Sequence, residues 1–444
     1  MSKKKCSFCR ELEVYDDSDK CILHCDKTKY YEKQYEQNPT KILSKNEMLI
    51  EFETKFIEKY HIKINEDILI LSNIHFPEDS FNKLLEIINS IKIKFYECKF
   101  YEKVELNKNL NKKVEYLNFF ICDMNKINIV HINIDIIIDI YDCTFKDLLV
   151  QYAKLNELKI NKIKNLNIKV NDSTIDCLSI TDSSLNYLKF LNGTNKKTIL
   201  KNLHIENTEF NTTFLDRLEF INVEIKNKID LQDSFIPTNS SFFGLKSSKG
   251  IVDVANRETA RKIKDSFEKQ NNIIEANKFY ALEMKEREKE LEEDLKKGKN
   301  FFEWLVFKIH GISSNHSQDW LLALFWIISF TFLSVFIEKI FNSSSGLVDK
   351  YILSLIIFVG ITFINFHIAN TKKAYYLISI FIYYFIYSIF TQDWLLKCFS
   401  NKLNPFSIMT GNEELTFSAL IYKIIIAYLI YQFIVSIRQN TRRK

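Results

Sequence analysis

The sequence predicts a multidomain fold: a small cysteine–histidine knuckle, a parallel β-helix, a long connecting helix and a four-helix bundle apolar on all sides. Three observations carry this expectation. Four of the nine cysteines fall within the first 25 residues. A six-residue motif recurs through the middle of the chain, and four long apolar stretches fill its last quarter. At 444 residues the chain has room for about three units of ordinary domain size.

The opening stretch "CSFCRELEVYDDSDKCILHC" has the pattern C-x2-C-x11-C-x2-H-C. A C-x2-C turn points two thiolates at one tetrahedral centre, and a second knuckle supplies the other two ligands, so residues 1–30 read as a zinc-binding knuckle. Cys6, Cys9 and Cys21 are the firm ligands. The fourth is His24 or Cys25; C-x2-H is the commoner closing knuckle, but the sequence leaves both open. Four protein ligands leave no open position, so one Zn2+ per chain is expected in a structural role, supplying folding energy that so small a unit lacks. The odd, otherwise scattered cysteines fit reduced thiols in a cytosol, and MSKKKCSFCR lacks the apolar core of a signal peptide.

Residues 40–90 read as an α/β capping unit. An amphipathic helix is expected over 46–66 (Met48, Leu49, Phe52, Phe56, Ile57, Tyr60). A strand in "EDILILSNIHFPED" follows, turning at Pro77, and then a short helix in "FNKLLEIINS". Such a unit would cover the open edge of the first coil.

Over 91–250 the motifs "FYECKF", "FFICDM", "IYDCTF", "VNDSTI", "ITDSSL", "IENTEF", "FINVEI" and "LQDSFI" share a template with a small or β-branched residue in the fourth slot. Cys98, Cys122, Cys143, Ser173, Ser183, Thr208, Val223 and Ser234 occupy that slot. Coils of about twenty residues with small side chains stacked inside are what a parallel β-helix needs. An antiparallel sheet would also alternate, but scarce glycine and absent hairpin dipeptides argue against it. Cys98, Cys122 and Cys143 are therefore expected as interior packing residues.

Here the chain resembles pentapeptide-repeat-containing bacterial membrane proteins that join such repeats to a helical, ion-channel-like transmembrane end. The repeat is degenerate, with the A-[DN]-L-x-x form almost absent. "NRETARKIKDSFEKQNNIIEANKFYALEM" and the closing "AYLIYQFIVSIRQNTRR" carry the likeness further, so that it extends over roughly 91–444. The resemblance implies a right-handed β-helix. Nearly equal numbers of basic and acidic residues over 91–250 argue against a DNA-mimicking surface.

Residues 255–300 are expected as a long helical stalk. Ala260, Ile263, Phe267, Gln270, Ile274, Asn277, Ala281, Met284, Glu288 and Leu291 follow alternating three- and four-residue steps, a coiled-coil seam with polar interruptions. Unbroken, it would reach about 65 Å; Asn271–Asn272 is the expected break. Packing of this helix against the end of the β-helix is the alternative to a stalk.

The segment 301–317 reads as an interfacial helix, with His310 and His316 at the wet headgroup level rather than binding metal. Within 318–444, spans are expected at 320–337, 351–369, 374–390 and 415–437, each about long enough to cross a hydrocarbon core. They are apolar all round rather than striped. Lys296, Lys297, Lys299, Lys308, Lys372, Lys373, Arg438, Arg442, Arg443 and Lys444 fall on one side, against Lys339, Lys350, Lys397 and Lys402 on the other. That bias puts both termini in the cytoplasm of a multi-pass bacterial inner-membrane protein.

No nucleotide loop, H-E-x-x-H or G-x-S-x-G occurs, so no enzymatic activity is expected. A net charge of +5 gives no reason to expect nucleic acid. The expected partners are the lipid bilayer, a second copy through stalk and transmembrane helices, and a cytoplasmic protein or ligand. The expected role is a sensing or scaffold platform at the membrane. The alternative is an ion channel, since a loop with Pro405 and Gly411 precedes the last helix; the T-x-G-Y-G filter is reduced to Thr410–Gly411. Lys423, the one formal charge within the spans, would line a pathway, pair with an acid or snorkel. Asn365 and His367 are further polar candidates in the second span.

Overall fold

Alternating burial along short strands, interrupted every ten residues or so, builds the first of two units. A computed structural model describes residues 4–16, 18–28, 39–61, 63–78, 80–108, 110–237, 240–248, 250–341, 352–353, 355–363, 374–404 and 417–441. It divides into Met1–Asn272 and Ile273–Lys444.

The first unit is a parallel β-solenoid of about 9 turns. Ile68 pairs with Lys92 and Lys92 with Tyr116, so the first coils are 24 residues long. Tyr116 then pairs with Ile137, a coil of 21, and Ile137 with Glu157 and Thr174 with Thr194, coils of 20. Every strand partner is parallel, which excludes the antiparallel alternative. The corners explain the regularity. Asp142, Tyr152, Lys162, Asp172, Asp182, Asn192, Asn202, Thr212 and Asn222 all have positive φ. Asn and Asp tolerate this left-handed conformation best, which accounts for their frequency there.

The residue after each corner turns inward and is buried: Cys98, Cys122, Cys143, Ser173, Ser183, Val223 and Ser234. At Ser173, Ser183, Ser234 and Cys143 the polar atom satisfies a main-chain donor of the coil before. The N–H of Ala153 donates to Ser173 Oγ (3.1 Å), that of Ile163 to Ser183 Oγ (3.0 Å) and that of Thr213 to Ser234 Oγ (3.2 Å). Cys143 Sγ receives the N–H of Cys122 at 3.2 Å. Thr208 departs from the expected slot. It is buried mid-strand opposite Leu188, whereas Gly193, Ala153 and Thr213 hold corner slots that the motif passed over. Phenylalanines stack between coils at Phe95–Phe119 (4.9 Å) and Phe190–Phe210 (5.0 Å).

Helix α1 (Pro39–Tyr60) ends six residues short of the expected 66 and buries Met48, Phe52, Phe56 and Tyr60. Ile57 stays 39% exposed, because the buried face is one residue wide on that side. Helix α2 (Ser80–Ile87) buries Phe81 against Phe76 and Phe95. The sheet already begins at Ile68–Ser72, inside the 40–90 segment expected only to cap it. At the other end α3 (Arg257–Lys269), capped by Asn256 onto the N–H of Thr259 at 2.8 Å, closes the solenoid. It buries Ala260, Ile263 and Phe267, and Thr259 Oγ1 accepts the N–H of Leu231. The long helix breaks at Asn271, whose φ is 59°, where the sequence placed the break. Its first half spends its apolar face on the last coil rather than on a coiled-coil seam.

The second unit is helical. Helix α4 (Ile273–Lys296) turns at Gly298 (φ 72°) into α5 (Phe301–Ser314), and the two are joined by Arg287–Glu303 and Lys308–Glu288 (2.7 Å) ion pairs. Phe302, Val306 and Ile309 on α5 point outward. Then come α6 (Trp320–Phe341), the helical residues 355–363, α7 (Ala374–Thr391), α8 (Lys397–Leu403) and α9 (Phe417–Thr441). Their core is aromatic, with Phe332, Phe336, Phe358, Tyr383, Tyr387 and Phe399 in mutual contact. Among the described residues two helices are long and apolar enough to cross a membrane, Trp320–Phe341 and Ala419–Gln439, and Tyr376–Thr391 is a shorter apolar helix. Much of the expected second span, with Asn365 and His367, lies outside the described residues. So do Lys350, Lys372, Lys373, the Pro405–Gly411 loop and Arg442–Lys444.

Candidate metal centre

The N-terminal knuckle is two turns held face to face. In the first, the N–H of Arg10 returns to the carbonyl of Cys6 (3.0 Å); in the second, those of His24 and Cys25 return to the carbonyl of Cys21 (3.0 and 2.9 Å). The N–H of Ser7 donates to Asp19 O at 2.8 Å and ties the two together. This brings one ligand atom each from Cys6, Cys9, Cys21 and His24 within 4.8 Å of one another.

The spacing suits a tetrahedral ion. Cys9 and Cys21 sulfurs are 3.8 Å apart, Cys6 Sγ lies 3.8 Å from His24 Nδ1, and Cys21 Sγ lies 3.0 Å from it. Sulfurs about 2.3 Å from a common centre would have edges of about 3.8 Å. A Cys3His group that could hold a metal ion is therefore present. Cys25 stands outside it, with its thiol turned to the carbonyl of Ile22 (3.7 Å). The choice that the sequence left open falls to His24, because the turn from Cys21 carries residue 24 inward and residue 25 away.

Burial acts on the protonation of His24, Cys21, Cys6 and Cys25. Burial, with Lys59 and Lys27 adding to it, pushes His24 down to about 4, so its imidazole is neutral and able to ligate at neutral pH. Burial pushes the Cys21 thiol up to about 12. Burial also acts upward on Cys6, but N–H donors at Cys9, Cys21 and Phe8 outweigh it and bring that thiol to about 7. Burial raises Cys25 as well.

The knuckle is seated on the solenoid's first coils. The N–H of His75 donates to Leu23 O (2.9 Å), the N–H of Lys27 to Tyr101 Oη (2.8 Å), and Lys99 pairs with Asp26 (3.2 Å). Ile22 and Leu23 are buried. Lys27 itself is fully buried, a feature that no sequence pattern flagged.

Elsewhere, expected polar residues take other roles. His316 is not at a wet surface, being 5% exposed, while His310 is half-buried; their Nδ1 atoms lie 3.2 Å apart, and Ser317 links His310 to Gln432. Lys423 does not snorkel: its side chain is buried. Its ammonium donates to the carbonyls of Lys402 (3.0 Å) and Asn404 (2.6 Å), at the C-terminus of α8. At the other end of α8 the Asp393 carboxylate accepts the N–H groups of Lys397 and Cys398. Cys98, Cys122 and Cys143 lie in the solenoid interior, as expected of packing residues.

Comparison of the chain with family models, with curated proteins and with solved structures finds no match.

Proposed function

We propose that this chain is a non-enzymatic, multi-pass protein of the bacterial inner membrane, with a cytoplasmic sensing or scaffold module made of the knuckle and a right-handed β-helix. The observation that carries the reading is the pair of long apolar helices in a chain whose other unit is a solenoid with a polar outer wall. Residues 351–369 and 374–390 complete four spans on this reading, and both termini face the cytoplasm. The knuckle holds one structural Zn2+ through Cys6, Cys9, Cys21 and His24; three thiolates and an imidazole suit zinc in a closed site. Descent from pentapeptide-repeat membrane proteins is part of the same proposal, supported by coils of 20 residues and the small residue that follows many of the corners.

A solenoid of this length offers its walls to a cytoplasmic protein or ligand, and the helical unit offers faces to a second copy. The second reading is an ion channel, favoured by one feature: α8, a short helix between α7 and α9 with its own capping charges, resembles a re-entrant element. Purified protein in planar bilayers separates the two. Silence under all ionic conditions supports the platform, and reproducible unitary currents overturn it. Recovery of the intact chain from a detergent-free high-speed supernatant would defeat both.

A further inference from the structure

Lys27 has no exposed surface, and its ammonium has left water for the carbonyl of Cys25, the residue that follows His24. A buried ammonium costs several kcal/mol unless something compensates its charge. Its hydrogen-bond partner is a neutral one, the carbonyl of Cys25 at 3.1 Å, and it sits 5.2 Å from the centre of the Phe52 ring. The adjacent carboxylate, Asp26, turns to Lys99 at 3.2 Å instead. Among the described residues no carboxylate forms an ion pair with Lys27, and the charges that most favour its ammonium are those of Cys25 and Cys21, followed by Asp26.

We propose that Lys27 is the counter-charge of the metal centre, a positioning residue whose ammonium offsets the single net negative charge that a divalent ion carries with three thiolates and a neutral imidazole. This rests on the metal reading of Cys6, Cys9, Cys21 and His24. A bare centre of that charge, with Cys6, Cys21 and His24 buried, would itself pay a desolvation penalty; paired with Lys27 the two burials offset each other. Lys27 also belongs to the seat of the knuckle, since its own N–H is held by Tyr101 of the second coil. Loading the metal and seating the knuckle on the solenoid are then one event, joined through a single side chain.

The inference makes opposite predictions for the two states of the protein, which plain packing does not. In the metal-loaded full-length protein, Lys27→Met removes the compensating charge, and zinc affinity, measured by competition with a chromophoric chelator, falls about 10–100-fold. With the metal stripped, the anionic centre is gone and the ammonium is left uncompensated. There Lys27→Met slows labelling of the buried, non-ligating Cys25 thiol, mapped by mass spectrometry, because the seat no longer encloses a lone charge. Lys27→Gln, which keeps a polar head without charge, follows Lys27→Met in affinity, and Lys20→Met on the same knuckle leaves affinity unchanged. Unchanged zinc affinity in both Lys27 variants overturns the proposal, and so does faster Cys25 labelling in the stripped variants, the mark of a packing residue. A wild-type chain that binds no zinc defeats the metal reading instead.

Discussion

At the scale of single residues, the solenoid depends on side chains too small to have drawn notice for bulk. A corner in the left-handed region leaves a main-chain N–H that the parallel ladder does not reach, and the next coil's Ser or Cys receives it. Ser183→Val keeps the shape but strands the N–H of Ile163. The expected cost is about 1–3 kcal/mol, read as a lower denaturation midpoint, with a smaller loss for Ser183→Cys. The Cys3His group makes a second prediction. With Cys21 pushed up to about 12 and His24 down to about 4, metal must displace a proton from the Cys21 thiol and none from the imidazole at neutral pH. Zinc affinity should therefore rise with pH between about pH 6 and 8, with net proton release, measured by calorimetry in buffers of differing ionisation enthalpy. Cys25→Ser should leave this behaviour intact, and Cys21→Ser should abolish it. The ligand spacing was legible from the sequence because both knuckles are local turns. Lys27 was not, because its burial comes from contacts with Phe52 and Tyr101, far along the chain.

At the scale of elements, strands and helices were legible where periodicity is strong, and boundaries moved where tertiary contacts intervened. The motif template located most of the inward residues but misplaced Thr208, since it keyed on size and not on the preceding corner. A period of ten in Asn or Asp followed by a small residue, as in Asp172–Ser173, Asp182–Ser183 and Asn192–Gly193, is the signal that would have corrected it. Late in the solenoid, Gly244 lies so close to the main chain of Phe220–Asn222 that an added Cβ has no room. Gly244→Ala should cost roughly 1–3 kcal/mol of stability and loosen the last coil, visible as faster amide exchange around Leu245 and Val223. The helix after it shows the same lesson. Its heptad-like steps are equally the face of a helix packed on a sheet, and the solenoid's open edge took that face. Helix α8 adds an electrostatic device, with a carboxylate at its N-terminus and a lysine ammonium at its C-terminus, each opposing the local end of the helix dipole.

At the scale of the whole molecule, the division at Asn272 and Ile273 separates a unit whose outer wall is polar from one whose helices expose Phe363, Phe381, Phe385 and Ile434. A fragment of residues 1–272 should therefore be soluble without detergent, unfold cooperatively and retain metal, while the intact chain should sediment with membranes and need detergent for release. Differential sedimentation and metal analysis of both check this; an insoluble fragment would mean that the solenoid depends on the helical unit.

By itself, the sequence determined what is local or periodic: the cysteine and histidine spacing of the knuckle, the coil repeat, the apolar lengths of the helices from Trp320 on and the break at Asn271. Each is written within one turn or one repeat, so neighbouring residues suffice to encode it. The tertiary structure alone decided the choice of His24 over Cys25, the burial of Lys27, the seating of α3 on the last coil and the capture of Lys423 by the end of α8. All four depend on which groups meet across long stretches of chain, where the cost of burying a charge or leaving an edge open is settled by packing and not by pattern.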